Sequence, residues 1–130
     1  MGEARSIFVV DDDPEVVRLV TRVLEHDGFL VVGHTDSREA LEAANEHPPA
    51  LVFADLMMPH LDGEAFCLAL RGRLGERMPP VVLLTASWAR REVAERLAAV
   101  ATLEKPFETQ DVRDLAARFV KRRPSEQPRP

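Results

Sequence analysis

The sequence feature that most constrains the fold is an unbroken apolar run that ends in a single carboxylate. Residues 51–54 are all apolar, Asp55 follows them directly, and a Met-Pro turn then ends in Asp62 and Gly63. A continuous apolar run of this length, bounded by chain-breaking residues, is typical of a strand buried on both faces of a sheet. Asp55 is then expected at the carboxyl end of that strand, where open α/β sheets place their binding sites. Taken alone, Asp55 could equally end the strand or cap the next helix.

Apolar runs and helical patterns alternate along the rest of the chain. Four further strands are predicted, at residues 7–10, 29–32, 81–84 and 102–104. Helices are predicted between and after the strands. The first begins at Pro14 and is stopped by Gly28, and the second begins at Asp36 or Ser37 and ends before Pro48. The others are predicted over residues 64–70 with fraying at Gly72 and Gly75, over residues 90–100, and from Glu108 or Thr109 to Val120. Five alternations of strand and helix favour parallel pairing with right-handed crossovers. The pattern predicts a single domain of the α/β class.

Length, composition and charge exclude several classes of protein. A chain of 130 residues is long enough to bury a substantial core, and none of its apolar runs approaches the roughly 20 residues of a membrane span. Its net charge of −5 argues against a nucleic-acid surface. The single cysteine, Cys67, is predicted to be a buried helix residue and suits a reducing compartment. We therefore predict a cytoplasmic domain over residues 1–121, a monomer or weak dimer, followed by a disordered tail over residues 122–130.

Polar residues follow four of the five predicted strands, and parallel strands bring their carboxyl ends to one edge of the sheet. They are Asp11 and Asp12 after the first strand, Asp55 after the third, Thr85 after the fourth and Lys105 after the fifth. Three carboxylates held close together repel one another, and a divalent cation relieves that repulsion. Oxygen ligands favour a hard ion such as Mg²⁺, which takes one or two carboxylates plus a phosphate oxygen. The remaining carboxylate is then a candidate nucleophile toward phosphorus, with the hydroxyl and the ammonium holding phosphoryl oxygens.

Each of these residues also has a purely structural interpretation. The three consecutive aspartates could form a solvated turn with a helix cap. Thr85 could cap the following helix, and Lys105 could be an exposed charge at a strand end. All of these interpretations would have to coincide at four strand ends, and the joint pattern therefore favours a functional site.

The aspartate triplet leaves a choice of register for the acidic pair. The pair is either Asp11 with Asp12 or Asp12 with Asp13. Pro14 suits the first turn of a helix, so Asp13 before it suits the N-cap. The length of the first strand also assigns Asp13 to the helix, which leaves Asp11 and Asp12 as the predicted pair.

Over residues 5–121 the sequence resembles the receiver domains of bacterial two-component response regulators. The resemblance is carried by four motifs: Val-Val-Asp-Asp-Asp at 9–13, Asp-Leu-Met-Met-Pro-His-Leu-Asp-Gly at 55–63, Leu-Thr-Ala at 84–86 and Lys-Pro-Phe at 105–107. It implies a flavodoxin-like three-layer sandwich of five parallel strands, in the order 2-1-3-4-5, with five helices. It also implies a phosphorylation-controlled signalling module that catalyses its own phosphoryl transfer and is not otherwise an enzyme.

The resemblance assigns roles to the residues at the strand ends. Asp55 would accept a phosphoryl group from a sensor histidine kinase or a histidine phosphotransfer protein. Asp11 and Asp12 would be the acidic pair, with Asp12 and the backbone carbonyl of Met57 as direct Mg²⁺ ligands beside Asp55. Thr85 and Lys105 would contact the phosphoryl group, and Lys105-Pro106 would be a cis peptide. A downstream protein partner would recognise the phosphorylated state.

Two departures from the family pattern concern the fifth strand. The family usually has an aromatic residue three positions before the lysine, and this chain has Thr102 there. The usual Gly-Ala turn before the strand is replaced by Leu-Ala-Ala-Val-Ala at 97–101, which predicts a shortened or irregular fourth helix. Phosphorylation should tolerate both changes, and the response should not depend on a rotating aromatic. Trp88, which follows Thr85 closely, is predicted to report activation by its fluorescence.

Two other functions remain open on the sequence alone. One is a degenerate receiver used only as an interaction surface, although the acceptor and the lysine that such proteins usually lack are both present. The other is a phosphohydrolase with an Asp-x-Asp nucleophile motif, a spacing that residues 11–13 contain, although the chain has no room for a cap domain. Residues after Val120 are not expected to fold independently, so the chain is either a stand-alone receiver or a piece of a longer protein.

Overall fold

The computed structural model describes residues 6–86 and 91–120, in which five strands alternate with five α-helices around one parallel sheet. The strands are β1 (Ile7–Val10), β2 (Val31–His34), β3 (Leu51–Asp55), β4 (Val81–Thr85) and β5 (Ala101–Glu104). The helices are α1 (Pro14–His26), α2 (Ser37–Glu46), α3 (Gly63–Leu74), α4 (Arg91–Arg96) and α5 (Thr109–Phe119), with a short 3-10 turn at Gly75–Arg77. The strand order is β2-β1-β3-β4-β5, as predicted. None of these helices is long and apolar enough to cross a membrane.

The core lies in two layers, one on each face of the sheet. Val52 and Ala54 of β3 pack into the layer beneath α2, α3 and α4. Leu51 and Phe53 alternate with them and pack into the layer beneath α1 and α5. Every residue of β1, β3 and β4 is buried. Because burying an aliphatic or aromatic side chain is worth about 1.5–3 kcal/mol, these central strands stabilise the part of the sheet that carries the polar edge.

Three aspartates cap the helices that follow β1, β2 and β3. Asp13 accepts a hydrogen bond from the backbone N–H of Glu15, and Asp62 accepts one from the N–H of Ala65. Asp36 caps α2 in the same way, so the choice between Asp36 and Ser37 resolves in favour of Asp36. The assignment of Asp13 to capping is confirmed. Each cap satisfies a backbone donor that would otherwise lack a partner at the helix start.

Several predicted boundaries differ from the structure, and two of the differences lie at glycines. The second strand begins at Val31 instead of Phe29, because Gly28 adopts a φ of 92° and the N–H of Phe29 closes the end of α1 on the carbonyl of Leu24. The third helix continues through Gly72, where a side chain would meet only open space, and it ends at Gly75 with a φ of 53°. Glycine favours these positive φ values because it has no Cβ.

The fourth helix is short, as the missing Gly-Ala turn predicted. Residues 91–96 form α4, so the predicted end of this helix at residue 100 was wrong, and Leu97 is buried against the core. Ala98 takes a φ of 57°, a left-handed conformation that costs a residue with a Cβ about 1–2 kcal/mol. Trp88, the predicted start of this helix at residue 90, and the tail over residues 122–130 lie outside the described residues.

Candidate functional site

Asp55 closes β3 and is the buried centre of the polar edge. It is 5% exposed, and its Oδ1 accepts a hydrogen bond from the backbone N–H of Met57 at 3.1 Å. Gly63 packs directly beneath this turn: a Cβ there would strike the carbonyl oxygen of Asp55 and lie 2.7 Å from the Cα of Leu56. Glycine at position 63 therefore lets α3 begin against the backbone that carries Asp55.

The acidic pair divides into one buried and one exposed carboxylate. Asp11 is fully buried, and its Oδ1 accepts the N–H of Asp13 at 2.9 Å. Asp12 is exposed at the mouth of the site. Asp11, Asp12 and Asp55 each place a carboxylate oxygen within 4.8 Å of the other two. Three oxygen ligands at this spacing suit a hard divalent cation such as Mg²⁺.

Lys105 reaches across the sheet from the end of β5 to the same group. Its Nζ lies 2.7 Å from Oδ2 of Asp11 and 3.5 Å from Oδ2 of Asp55. Burial alone would lower the pKa of Lys105, but the hydrogen bond and charge of Asp11 and the charge of Asp55 outweigh it and raise that pKa. The alternative interpretation of Lys105 as an exposed charge is wrong, because its side chain is only 24% exposed and is paired. The predicted cis peptide at Lys105-Pro106 is confirmed.

The surroundings of Asp55 shift its ionisation. Burial raises the pKa of Asp55 to about 6, and the negative charge of Asp11 acts in the same direction. The N–H of Met57 and the charge of Lys105 lower that pKa and partly offset the rise. Asp55 is therefore a carboxylate at neutral pH that loses its proton more reluctantly than an exposed aspartate.

Thr85 and Met57, the other two predicted site residues, lie at the same edge. Thr85 is buried at the end of β4, and its carbonyl accepts the N–H of Lys105 at 2.7 Å. Met57 stands two residues after Asp55 with a 57% exposed side chain, so its contribution to the site is through its backbone. Thr102 is exposed on β5, in keeping with the absence of an inward-packing aromatic at that position.

The role of Ser37 was not predicted. The sequence pattern indicated only a possible cap of α2, whereas the Ser37 hydroxyl donates to the backbone carbonyl of Leu61 at 2.6 Å. Leu61 belongs to the loop that follows Asp55. The two residues are 24 positions apart, so no local pattern could have revealed the contact.

Comparison with known proteins agrees with this geometry. A family model described as the response regulator receiver domain matches residues 7–117. The response regulator Rre1 of Synechocystis is 38% identical over 128 residues, which cover 91% of this chain and 54% of that protein. The alkaline phosphatase synthesis transcriptional regulatory protein PhoP of Bacillus subtilis is 34% identical over 110 residues, which cover 83% of this chain and 45% of that protein. The chain thus spans about half the length of these curated relatives.

Solved structures show the same architecture. The chemotaxis protein CheY4 of Vibrio cholerae superimposes with a TM-score of 0.81 and 25% identity, over 91% of this chain and 100% of that one. This likeness confirms the flavodoxin-like sandwich, and the matched family model includes all five strands and the polar edge that they form. The chain therefore belongs to the family of response regulator receiver domains.

Proposed function

We propose that Asp55 accepts a phosphoryl group from a histidine kinase or a histidine phosphotransfer protein, and that its phosphorylation changes the binding of a protein partner. One observation carries the proposal: a buried aspartate shares one sheet edge with two further carboxylates and a lysine. That combination provides a nucleophile, a cation site and a positive charge within a few ångströms. Receiver domains of response regulators act in phosphorylation-controlled signalling, and the proposal assigns the residues that perform it here.

In the proposed reaction, an oxygen of ionised Asp55 attacks the phosphorus of a phosphohistidine. The new O–P bond forms as the P–N bond breaks, and the histidine leaves with the bonding electron pair and takes up a proton. Met57 holds one oxygen of Asp55 through its N–H, which orients the carboxylate for attack. Lys105 is placed to compensate the charge that develops on the phosphoryl oxygens, and Thr85 is assigned to hold another of them.

The residues present fit a magnesium ion beside Asp55. Asp12 and Asp55 would be carboxylate ligands, and the carbonyl of Met57 would complete the protein ligands. Asp11, which is fully buried, would add a third negative charge beside the ion. Bound Mg²⁺ would neutralise the carboxylates and orient the phosphoryl oxygens. Because Asp11 already holds Lys105 at 2.7 Å, its charge is partly compensated before any ion binds.

The two competing functions are less well supported. An Asp-x-Asp nucleophile motif would need Asp13 to face the site with Asp11, but Asp13 is engaged in capping α1. A degenerate receiver would lack part of the constellation, whereas Asp11, Asp12, Asp55 and Lys105 lie together. We therefore propose that the domain catalyses only its own phosphorylation and dephosphorylation. The buried single cysteine suits a reducing compartment, so the proposal includes a cytoplasmic location.

Mass spectrometry after incubation with acetyl phosphate and Mg²⁺ tests the proposal. We expect one phosphoryl adduct on the native chain, none after Asp55→Asn, and none when the metal is chelated. Asp111→Asn, a change on the exposed part of α5, is the matched control and should be labelled like the native chain. Undiminished labelling of Asp55→Asn would show that the acceptor is another residue. Rapid turnover of acetyl phosphate would indicate a phosphohydrolase, and an unlabelled native chain would indicate a degenerate receiver.

A further inference from the structure

The loop that joins β3 to α3, residues 56–62, is held in a tight and strained conformation. The N–H of Gly63 returns to the carbonyl of Leu56 at 3.0 Å, which closes the loop at its base. The N–H of Leu61 donates to the carbonyl of Pro59 at 2.8 Å within it. Between them His60 adopts a φ of 68°. A side chain is energetically unfavourable in this left-handed region, so the surrounding contacts must impose the conformation.

Ser37 makes one of those contacts from a different element. It is the first residue of α2 and is 2% exposed. Its Oγ donates to the carbonyl of Leu61 at 2.6 Å. Leu61 lies near the end of the loop, whereas Asp55 directly precedes its first residue. Because Ser37 is buried, breaking this bond would leave its hydroxyl without an acceptor and shielded from water, which makes the contact costly to break.

The contact is not explained by helix capping. Asp36 already caps α2 by accepting the N–H of Arg38 at 2.8 Å. The hydroxyl of Ser37 acts as a donor toward the loop, whereas a capping side chain acts as an acceptor. The bond therefore serves the loop, with α2 as its support.

The same loop carries the backbone of Met57. Its N–H holds Oδ1 of Asp55 at 3.1 Å, and its carbonyl is the proposed third protein ligand of the metal. Met58, the next residue, is buried in the core and connects Met57 to the outer half of the loop, residues 59–62. The bond from Ser37 restrains that outer half.

We infer that Ser37 is a positioning residue for the phosphoryl-transfer site. Through Leu61 it maintains the loop in the conformation that directs the Met57 backbone at Asp55 and at the metal. The inference rests on the proposed function of Asp55. It adds a residue of α2, which contributes no ligand and does not contact the phosphoryl group, to the groups that determine metal affinity and labelling rate.

Substitution Ser37→Ala removes the donor and leaves the size of the site almost unchanged. We expect Mg²⁺ binding and labelling by acetyl phosphate to weaken by about tenfold, the lower end of the effect usual for groups that orient metal ligands. We also expect faster hydrogen exchange of the Met57 amide in the metal-free chain. That readout requires neither Mg²⁺ nor a phosphoryl donor, and a general loss of stability is followed separately by urea unfolding.

The matched control is Asp36→Ala, which weakens the start of α2 but keeps the Ser37 donor. It should destabilise the fold while metal affinity, labelling rate and Met57 exchange stay near native values. Equal losses in both variants, or native Met57 exchange and labelling in Ser37→Ala, would overturn the role of Ser37. A native chain that takes no label would instead refute the proposed function, while the Met57 amide would still report whether Ser37 holds the loop.

Discussion

The acceptor region around β3 and the region around α4 and β5 are held in different ways. All five residues of β3 are buried, and the 12 residues of α3 that follow begin with the Asp62 cap. By contrast, α4 has six residues, and β5 alternates between half-buried and exposed positions. The acceptor is therefore supported by burial in both core layers. The α4–β5 region has less apolar support, and elements with little buried surface open at lower free energy.

Polar contacts with α3 compensate for part of this difference. The guanidinium of Arg71 donates to the carbonyl of Leu97 at 2.6 Å, just beyond the end of α4. Arg96 of α4 pairs with Glu64 at 2.7 Å. Glu64 follows Gly63, which packs on the backbone of Asp55. The acceptor region and α4 are thus connected through α3, and this connection does not involve position 102.

The largest expected effect is on the stability of the acceptor region itself. At about pH 8 and without divalent ions, Asp55→Asn should raise the free energy of unfolding by up to about 3 kcal/mol, since a pKa unit corresponds to about 1.4 kcal/mol. Burial in the fold raises the pKa of Asp55 from its ordinary value of 3.8 to about 6. The folded state therefore favours the protonated form, and native stability falls as pH rises through this interval and is least above it.

Urea unfolding of the native chain and Asp55→Asn at several pH values measures this difference. The difference in the free energy of unfolding between the two chains should disappear below about pH 4, where the Asp55 carboxyl is protonated in both the folded and the unfolded state. Mg²⁺ should also reduce this difference, because it stabilises the native carboxylates more than the variant. A difference that does not change with pH would mean that the burial of Asp55 carries no electrostatic cost.

Substitution of Asp12 should mainly weaken Mg²⁺ binding, whereas substitution of Asp13 should mainly lower stability. Asp12→Ala should weaken Mg²⁺ binding by tenfold or more, on the order of the loss seen for groups at metal sites. Asp13→Ala should leave Mg²⁺ affinity intact and cost about 0.5–2 kcal/mol of stability through the lost cap of α1. Calorimetric titration with Mg²⁺ and urea unfolding of both variants make the comparison. The reverse order would show that Asp12 and Asp13 form the acidic pair.

The polar support of the α4–β5 region can be tested with two arginines of α3. Arg71→Ala removes the donor to Leu97 and should cost about 1 kcal/mol of stability. Arg73→Ala removes only an exposed pair with Glu42 and should cost less than about 0.5 kcal/mol. Hydrogen exchange should accelerate selectively in β5 for Arg71→Ala. Equal behaviour of the two variants would contradict a role for Arg71 in holding α4.

The smallest expected effect is a gain at the end of α4. Ala98→Gly should relieve the left-handed backbone, but glycine also has more freedom in the unfolded chain, so we expect a net gain of about 0.5 kcal/mol. Ala99→Gly, one residue further on, is the control and should destabilise the protein because no positive φ is relieved there. Thermal unfolding of both variants shows whether each substitution raises or lowers the stability. A loss in Ala98→Gly would mean that its conformation is not a source of strain.

The types and order of the elements, and the sheet edge at which the polar residues meet, could be predicted from the sequence. Buried runs are visible as uninterrupted apolar residues, and the alternation with helices implies parallel strands whose carboxyl ends share one edge. Capping is equally local, so Asp13 could be assigned to α1 from Pro14 beside it. The two errors at Gly28 and Gly72 concern where elements end, which depends on turn closure and on the space around a helix.

The contacts that hold the site could not be predicted from the sequence, because they join residues that are distant along the chain. Lys105 and Asp11 are 94 positions apart, and Ser37 and Leu61 are 24 apart. Whether a lysine at a strand end is solvated or buried against a carboxylate depends on how the layers pack, as does the direction in which a serine hydroxyl donates. Local propensity carries no information on either choice, because both are contacts between residues that meet only when the sheet and its helices assemble.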